Sequence, residues 1–458
     1  MLPELITEIP GPESRRLAVR LRAHESRNVT YVSKAFPIFW ESAEGSNVRD
    51  VDGNRYLDFT SGFGVATAGF GNPKLKEVFL DQSNRLYHGM GDVHPTELKV
   101  RLCELLSWAT FERWGAGPGK VLLGSAGFEA VEAALKTAFL ATRKRGVICF
   151  DGAYHGLGYG AMTVTGREEF RSPFRSQLSD FAVLLPYPDC AHCPWDKGPG
   201  TATQADESSH CDPGCLVLLE KQIREAVSAR EIGAILVEPA QGRGGEIFPP
   251  KTFLPLLRRL ADELGLVLIF DEIYTGFYRT GPLFACESTR TVPDLICLGK
   301  ALSGAYPISA CVGRADLMDA WPESPGEALH TSTFLGNPVG CALAVASVER
   351  WLAEPPDLQI QGIADSMRRM LVSLQDDFEI FKHARGSGLM WGVELVDKKG
   401  VPDPALTARL IEQGLAQGAI LLGGGKRNNV LSLAPNLAVQ PAEIEWLGKM
   451  LKAICSGL

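Results

Sequence analysis

The chain has 458 residues, of which 45% are hydrophobic and 22% are charged, an ordinary composition for a globular protein with a sizeable core. A net charge of −8, with no run of five or six like charges, argues against a nucleic-acid partner. No stretch of 18 apolar residues occurs, so no membrane span is predicted.

The start of the chain and its cysteines favour a reducing compartment. The opening MLPELITEIPGPESRR lacks the apolar core of a signal peptide. Eleven cysteines are an odd number in a long chain, which disfavours a secreted disulfide framework. We therefore predict a cytoplasmic protein with reduced thiols.

Short apolar runs in the middle of the chain have the length of buried strands. These runs are Val147–Phe150, Phe181–Leu185, Ala234–Val237 and Leu266–Phe270. Amphipathic helices are predicted among them, at Glu129–Arg145, Lys251–Leu264 and Val339–Leu352. Strands that alternate with helices predict an α/β fold with a mostly parallel sheet. Ligands of such sheets bind at the carboxyl ends of the strands, so we look for chemistry there.

Two breaks in this pattern suggest domain boundaries. Gly69–Pro73 closes a strand-rich opening, and the sequence Glu354-Pro355-Pro356 follows a long helix. We predict a large domain at residues 76–345 and a smaller domain formed by residues 1–75 and 346–458.

The last third of the chain and one internal segment complete the prediction. A strand is predicted at Leu389–Leu395, a helix at Pro404–Gln417 and a last helix from Pro441. Asp189–Cys215 is rich in Gly, Pro, Ser and Asp, so we expect an irregular insertion there.

A carboxylate and a lysine follow apolar runs in the segment that ends near residue 305. Asp271 comes at the end of LVLIF, and Lys300 follows PDLICLG in a context of small residues. A lysine in a partly desolvated pocket loses basicity and becomes a nucleophile toward an aldehyde. Pyridoxal phosphate (PLP) enzymes combine a Schiff-base lysine with an acid on the pyridinium nitrogen. The pair Asp271 and Lys300 therefore predicts PLP chemistry.

The stretch from Asp271 to Gly304 resembles the signature of the class III aminotransferases, the omega-type family that includes 4-aminobutyrate and acetylornithine enzymes. The matching pieces are DEIYTGFYRTG, then PDL, then GKALSG, and the similarity runs from about Asn47 to the C-terminal end. The resemblance implies PLP fold type I, with a large domain built on a mostly parallel seven-stranded sheet and a smaller α+β domain from both chain ends. It also implies a homodimer with shared active sites, with a tetramer left open.

The resemblance implies an activity as well. An amino group would pass from an amine or amino-acid donor, with glutamate as one candidate, to a keto or aldehyde acceptor. A Schiff base at Lys300 and a pyridoxamine phosphate intermediate would carry the group.

Further cofactor contacts are implied by the same resemblance. In SAGFEAVEAALK, the backbone amides of Gly127 and Phe128 would bind the phosphate at a helix N-terminus. The family often has Thr at the second of these positions. In DGAYHG, the ring of Tyr154 would stack on one face of the cofactor, and Ile273 would cover the other face.

Two more residues complete the implied site. Glu238 begins EPAQG after a strand, where the family's glutamate lies near the substrate or neutralises a mobile arginine. Thr333, in HTSTFLGNP, would reach the phosphate of the neighbouring subunit.

The chain departs from the family pattern at the position expected to bind a substrate α-carboxylate. Many members have an arginine in a stretch like VIRFxPPL, whereas this chain has VLSLAPNL with Ser432 at that position. A hydroxyl cannot replace the bidentate charge of a guanidinium. Arg243 or Lys426 could substitute for the missing arginine. The absence of that arginine also favours substrates that lack an α-carboxylate.

Tyr274 is a second departure. Members commonly have Gln at this position, where it donates to the phenolic oxygen of the cofactor. The hydroxyl of Tyr274 could replace that donor or point elsewhere.

A third departure is the cysteine-rich insertion. Cys190 and Cys193, then Cys211 and Cys215, have the spacing of two halves of a tetrahedral zinc site. Reduced cysteines packed in a turn are the favoured interpretation, with structural zinc as the alternative.

Two other functions remain open at this point. The same cofactor could serve a racemase or epimerase, a lyase, a decarboxylase or an aminomutase, and Ser432 keeps this alternative alive. A non-catalytic PLP- or metal-binding protein is less favoured, because Lys300, Asp271, Glu238 and Tyr154 match together. A nucleotide-binding loop is not predicted, since no GxxxxGK[ST] motif occurs.

Overall fold

The computed structural model describes residues 1–195 and 213–457. The helices are α1 (Pro12–His24), α2 (Ser61–Gly64), α3 (Pro73–Arg85), α4 (Glu97–Ser107), α5 (Gly127–Thr142), α6 (Tyr159–Val164), α7 (Glu168–Arg171), α8 (Pro213–Ala229), α9 (Phe253–Leu264), α10 (Ala315–Met318), α11 (Pro338–Ala353), α12 (Asp357–Asp377), α13 (Pro404–Ala416) and α14 (Pro441–Ser456). The strands are β1 (Trp40–Glu44), β2 (Asn47–Asp50), β3 (Arg55–Asp58), β4 (Gly119–Gly124), β5 (Gly146–Phe150), β6 (Ala182–Leu185), β7 (Ile232–Val237), β8 (Val267–Asp271), β9 (Leu295–Leu298), β10 (Ser309–Arg314), β11 (Phe381–Ser387), β12 (Met390–Leu395), β13 (Ala419–Ile420), β14 (Leu422–Gly424) and β15 (Val430–Leu433).

The chain divides into two compact units. One consists of Met1–Asn72 with Leu358–Leu458, and the other of Pro73–Asp357. Residues 75 and 345, where the sequence predicted boundaries, both fall inside the second unit.

The second unit is built on a seven-stranded sheet with the order β4-β10-β9-β8-β7-β5-β6. Strands β9, β8, β7, β5 and β6 pair in parallel, and β10 is antiparallel to both of its neighbours. The prediction of a mostly parallel seven-stranded sheet is therefore confirmed. Strands β5, β7, β8 and β9 are buried along their whole length, which explains why they read as continuous apolar runs.

Helix α5 packs its small apolar face onto this sheet. Ala130, Ala134 and Ala138 share a buried cluster with side chains of the sheet strands. The helix begins two residues before the predicted start and ends at Thr142 rather than at Arg145. Arg143 adopts a left-handed conformation, with φ of 59°, and its N–H bonds the carbonyl of Phe139, which stops the helix.

The predicted irregular insertion is only partly irregular. Residues 186–195 contain no helix or strand, but α8 begins at Pro213, so the prediction of irregular structure was wrong for the end of Asp189–Cys215. Proline is well suited to the first turn of a helix, and this position marked the helix start. Residues 196–212, which include Cys211, lie outside the described residues.

The first unit contains two four-stranded sheets. Their orders are β1-β2-β3-β13 and β11-β12-β15-β14. The short pairing of β13 with β3 joins the last part of the chain to the first in one parallel contact. Helix α1, which the sequence did not predict, also belongs to this unit. Among the described residues, no helix has the length and apolarity that crossing a membrane would require.

Candidate active site

The predicted catalytic residues lie at the carboxyl ends of adjacent strands. Asp271 is the last residue of β8, and Glu238 directly follows β7. Lys300 comes two residues after β9, and the DGAYHG segment follows β5. Because β9, β8, β7 and β5 are consecutive neighbours in the sheet, these four loops share one edge.

Asp271 is held by two hydrogen bonds. Its Oδ1 accepts from the backbone N–H of Ile273 at 3.1 Å, and its Oδ2 lies 2.8 Å from Nδ1 of His155. Asp271 is 4% exposed and His155 is 2% exposed, so water contributes little to the solvation of either group. The carboxylate is thereby fixed in one orientation at the end of β8.

The sequence analysis did not single out His155. It lies within DGAYHG, where only Tyr154 received a role, although a histidine after a buried strand was a visible signal. The Nε2 of His155 is buried without a hydrogen-bond partner among the described residues. An unpartnered buried ring nitrogen at a site edge is an exception that requires an explanation, such as a bound group.

Lys300 has an amine of lowered basicity. Burial lowers its pKa most, Arg279 and Arg243 lower it further, and Asp271 and Glu238 oppose the shift. Its Nζ lies 4.8 Å from the centroid of the Tyr274 ring. The backbone of Lys300 has φ of 45°, which a non-glycine residue rarely adopts and which is typical of functional sites.

Glu238 is buried and accepts two backbone hydrogen bonds. Its Oε1 accepts from the N–H of Tyr154 at 2.6 Å and its Oε2 from the N–H of Gly242 at 3.0 Å. Burial raises the pKa of Glu238 to about 7, with Asp271 adding to the increase and His155 opposing it. The carboxyl is therefore poised to change protonation near neutral pH.

The N-terminus of α5 is open to an anion. Its first residues are Gly127 and Phe128, and no side chain caps the helix at Ala126. Amides at such a position and the helix dipole both favour a phosphate. A Cβ at Gly127 would lie 3.1 Å from Cγ2 of Ile273, so glycine keeps the cradle open.

Phe128 occupies a position where the family often has Thr, and its larger side chain packs against two glycines. A Cβ at Gly156 would lie 2.4 Å from the Cβ of Phe128, and a Cβ at Gly158 would lie 2.6 Å from its ring. These two glycines of the loop after β5 therefore accommodate the phenyl group.

The ring of Tyr154 lies between other flat groups. Phe170 contacts it edge-on at a centroid distance of 5.4 Å, and the guanidinium carbon of Arg243 lies 5.7 Å from the Tyr154 centroid. Burial raises the pKa of Tyr154, while Arg243 opposes the increase. The predicted stacking of this ring on a cofactor stays a prediction.

Tyr274 donates its hydroxyl to a protein carboxylate. The hydroxyl lies 3.4 Å from Oε1 of the buried Glu246. Burial raises the pKa of Tyr274 well above its usual value, and Glu246 adds to the shift. The hydroxyl of Tyr274 was expected either to donate to the cofactor or to point elsewhere. Its contact with Glu246 favours the second alternative.

Thr333 and Ser432 lie in different surroundings. Thr333 is exposed in the segment before α11. Ser432 is half-buried in β15, opposite Gly392 of β12 and Leu422 of β14.

Part of the predicted cysteine cluster comes together. The sulfur atoms of Cys193 and Cys215 lie 2.9 Å apart, and Cys190 is buried. Within the described part of the chain, no group of three close metal-ligating atoms includes these cysteines. Metal binding at the insertion stays an untested alternative.

Comparison with known proteins shows which family this chain belongs to. The model of the family described as aminotransferase class-III matches residues 29–455, nearly the whole chain. The chain is a class III aminotransferase.

Relatives of this family with assigned activities span the chain almost completely. A 4-aminobutyrate aminotransferase from Mycobacterium leprae is 36% identical over 438 residues, which cover 95% of this chain and 94% of that protein. An alanine/serine racemase from Pyrococcus horikoshii is 31% identical, covering 95% of this chain and 89% of that protein.

Solved structures agree with the assignment. An amine transaminase from an uncultivated Pseudomonas species, in its PLP-bound form, has a TM-score of 0.83 and 27% identity, with 94% of this chain and 98% of that chain covered. An S-selective transaminase from Bacillus megaterium has a TM-score of 0.83 and 25% identity, with 96% and 97% covered. The fold is that of the fold type I PLP transaminases, and the cofactor of this aminotransferase is PLP.

The residues at this site match the chemical groups of PLP. The uncapped start of α5 suits the phosphate, and the carboxylate of Asp271 suits a protonated ring nitrogen. Lys300 supplies an amine with lowered pKa for the aldehyde. A Cβ atom at Gly127 or at Gly299 would lie within 3.2 Å of the Ile273 side chain. Glycine at both positions therefore avoids crowding beside Ile273.

Proposed function

We propose that this aminotransferase moves an amino group from an amine or amino-acid donor, with glutamate as one candidate, to a keto or aldehyde acceptor, with Lys300, Asp271 and Glu238 as its catalytic residues. The observation that carries this proposal is the convergence of the three side chains at one edge of the sheet, where Asp271 and Glu238 both act on the charge of Lys300.

Lys300 is the proposed proton carrier. When bound, PLP supplies an electrophilic carbon and an electron-withdrawing ring. The Nζ of Lys300 would hold the cofactor at that carbon, and as a free amine it would accept a proton from the substrate carbon that bears the amino group and donate it again. A lowered pKa increases the fraction of neutral amine, which is the form that accepts a proton.

Asp271 and Glu238 are the two carboxyl groups proposed to assist this proton transfer. Asp271, oriented by His155, would hold a proton on the ring nitrogen of a bound cofactor, because a fixed carboxylate stabilises the charged form. Glu238 fixes the middle of the DGAYHG loop through the N–H of Tyr154, and its charge raises the pKa of the Lys300 amine against the larger effect of burial.

Transfer of labelled nitrogen tests this proposal. Incubation with ¹⁵N-labelled L-glutamate, L-alanine or a terminal amine, together with an unlabelled keto acid, is expected to place ¹⁵N on the carbon skeleton of the acceptor. Mass spectrometry of the product amino acids measures the transfer. If the label stays on the donor skeleton while the donor loses its chirality, the enzyme is a racemase instead.

We also propose a homodimer, in the cytoplasm, in which Thr333 of one subunit contacts the phosphate bound by the other. The exposure of Thr333 supports this role, because within its own subunit the side chain faces open space. No disulfide is formed among the cysteines of the described residues, which suits a reducing compartment.

A mixed dimer tests the shared site. Thr333→Ala is expected to weaken PLP binding about tenfold, the usual effect of one lost hydrogen bond to a charged group. A heterodimer of Thr333→Ala and Lys300→Ala subunits, isolated with two affinity tags, should contain one site with wild-type PLP affinity and turnover. If Thr333 serves its own subunit, no such site will exist in the heterodimer.

A further inference from the structure

The tight turn after Glu238 presents one arginine outward. Gly242 donates to Glu238 at the start of the turn, and Gln241 and Ile247 exchange two backbone hydrogen bonds of 2.9 Å at its base. The N–H groups of Gly245 and Glu246 both bond the carbonyl of Gly242. Arg243 is therefore held at the tip of a closed turn.

The side chain of Arg243 lies against two aromatic rings. Its guanidinium carbon is 5.7 Å from the Tyr154 centroid and 5.9 Å from the Phe170 centroid. The guanidinium of Arg167 donates to the backbone carbonyl of Arg243, which further fixes the position. Contacts of this kind stabilise a planar cation over a ring and leave its N–H donors available at the rim.

Among the described residues, Arg243 forms no salt bridge. In residues 1–195 and 213–457, no acidic oxygen lies within 4 Å of its guanidinium nitrogens, and the residue is exposed. Arg279, the other cation that acts on Lys300, is fully buried. Arg243 is therefore the cation of this pair that a dissolved anion can contact.

The charge of Arg243 reaches the reacting amine. Burial lowers the pKa of Lys300 most, and Arg243 adds a small contribution in the same direction. Burial raises the pKa of Tyr154, and Arg243 opposes that increase. The guanidinium is thus near both the residue that attacks and the ring beside it. An anionic group bound there would be attached to a molecule whose amine can approach Lys300.

We propose that Arg243 binds the carboxylate of the substrate, in place of the arginine that Ser432 replaces. The inference rests on the proposed transamination and adds to it the substrate class, namely amines and keto compounds that carry a carboxylate. A guanidinium offers a carboxylate two parallel N–H donors, so recognition is both charged and directional.

Two substitutions and a matched control test this role. With Arg243→Gln, the ratio of kcat/KM for a carboxylated donor to kcat/KM for a carboxylate-free terminal amine should fall about 10- to 100-fold, the range for a lost hydrogen bond to a charged group. Arg243→Lys keeps the charge without the fork and should lose part of this ratio. Arg409→Gln removes a cation from the exposed side of α13 and should leave the ratio unchanged.

A binding measurement separates this inference from the proposed reaction. Glutarate, a dicarboxylate without an amine, should bind the wild-type holoenzyme in calorimetry and bind Arg243→Gln about 10- to 100-fold more weakly. Equal binding by both proteins, or no binding by the wild type, overturns the inference. Loss of glutarate binding in the variant without any nitrogen transfer by the wild type would keep the inference and refute the proposed function.

Discussion

Lys300→Ala is expected to abolish the covalent attachment of PLP and to lower turnover by at least about 1,000-fold. In the proposed mechanism two contributions disappear together, because the same Nζ would hold the cofactor and carry the proton. Borohydride reduction followed by peptide mass analysis measures the attachment, and a nitrogen-transfer assay measures turnover. The cofactor can still bind through its phosphate, so the variant should contain PLP that gel filtration in denaturant removes.

Lys76→Ala is the matched control for this experiment. Lys76 is an exposed lysine of α3, and its loss should change neither attachment nor turnover. Far-ultraviolet circular dichroism of both variants guards against a folding defect. Covalent PLP in the reduced Lys300→Ala protein would refute the assignment of the Schiff-base lysine.

Asp271→Asn is expected to lower kcat about 100- to 1,000-fold while PLP binding is partly retained. The amide has nearly the shape of the carboxylate but no charge, so it cannot hold a proton on the ring nitrogen. Stopped-flow turnover and equilibrium dialysis of PLP measure the two quantities separately. Asp180→Asn, at an exposed position paired with Arg145, controls for the loss of one carboxylate.

The informative result is the loss of kcat in Asp271→Asn compared with its loss of PLP affinity. A near-normal kcat would mean that Asp271 does not act on the ring. His155→Gln should shift kcat in the same direction but less, since the hydrogen bond of His155 orients the carboxylate of Asp271. His155 is therefore a positioning residue.

The sheet could be predicted from the sequence because its central strands are buried on both faces. Such strands appear as uninterrupted apolar runs, as in Leu266–Phe270, and they end where polar residues begin. The rule that ligands bind at the carboxyl ends then drew attention to Asp271, whereas Glu238 entered the prediction through the family resemblance. Family resemblance supplied the roles, which neither periodicity nor composition can give.

The pairing of His155 with Asp271 could not be predicted from local sequence. The two residues are 116 positions apart, and they meet because β5, β7 and β8 are neighbours in the sheet. Strand order depends on packing of the whole unit rather than on any one segment. For the same reason, the direction of the Tyr274 hydroxyl depends on Glu246, a distant buried carboxylate that no motif marks.

Helix ends were also beyond prediction from periodicity alone. The apolar spacing of α5 is consistent with several starting points, and the backbone conformation of Arg143 decides where the helix stops. In the insertion, the spacing grouped Cys193 and Cys215 in one candidate zinc site, and their sulfur atoms do lie 2.9 Å apart, but spacing alone does not distinguish a metal site from packed thiols.

The most direct test of the central claim is a single turnover without an acceptor. Purified PLP enzyme mixed with an excess of a reactive amine donor should release one keto or aldehyde product per active site and then stop, with the amino group retained by the protein until a keto acid is added. This stoichiometry, reversed by the acceptor, is what an aminotransferase built on Lys300 requires. A donor that racemises, decarboxylates or eliminates continuously, with no stoichiometric keto product, would contradict transamination and leave the PLP site serving another reaction.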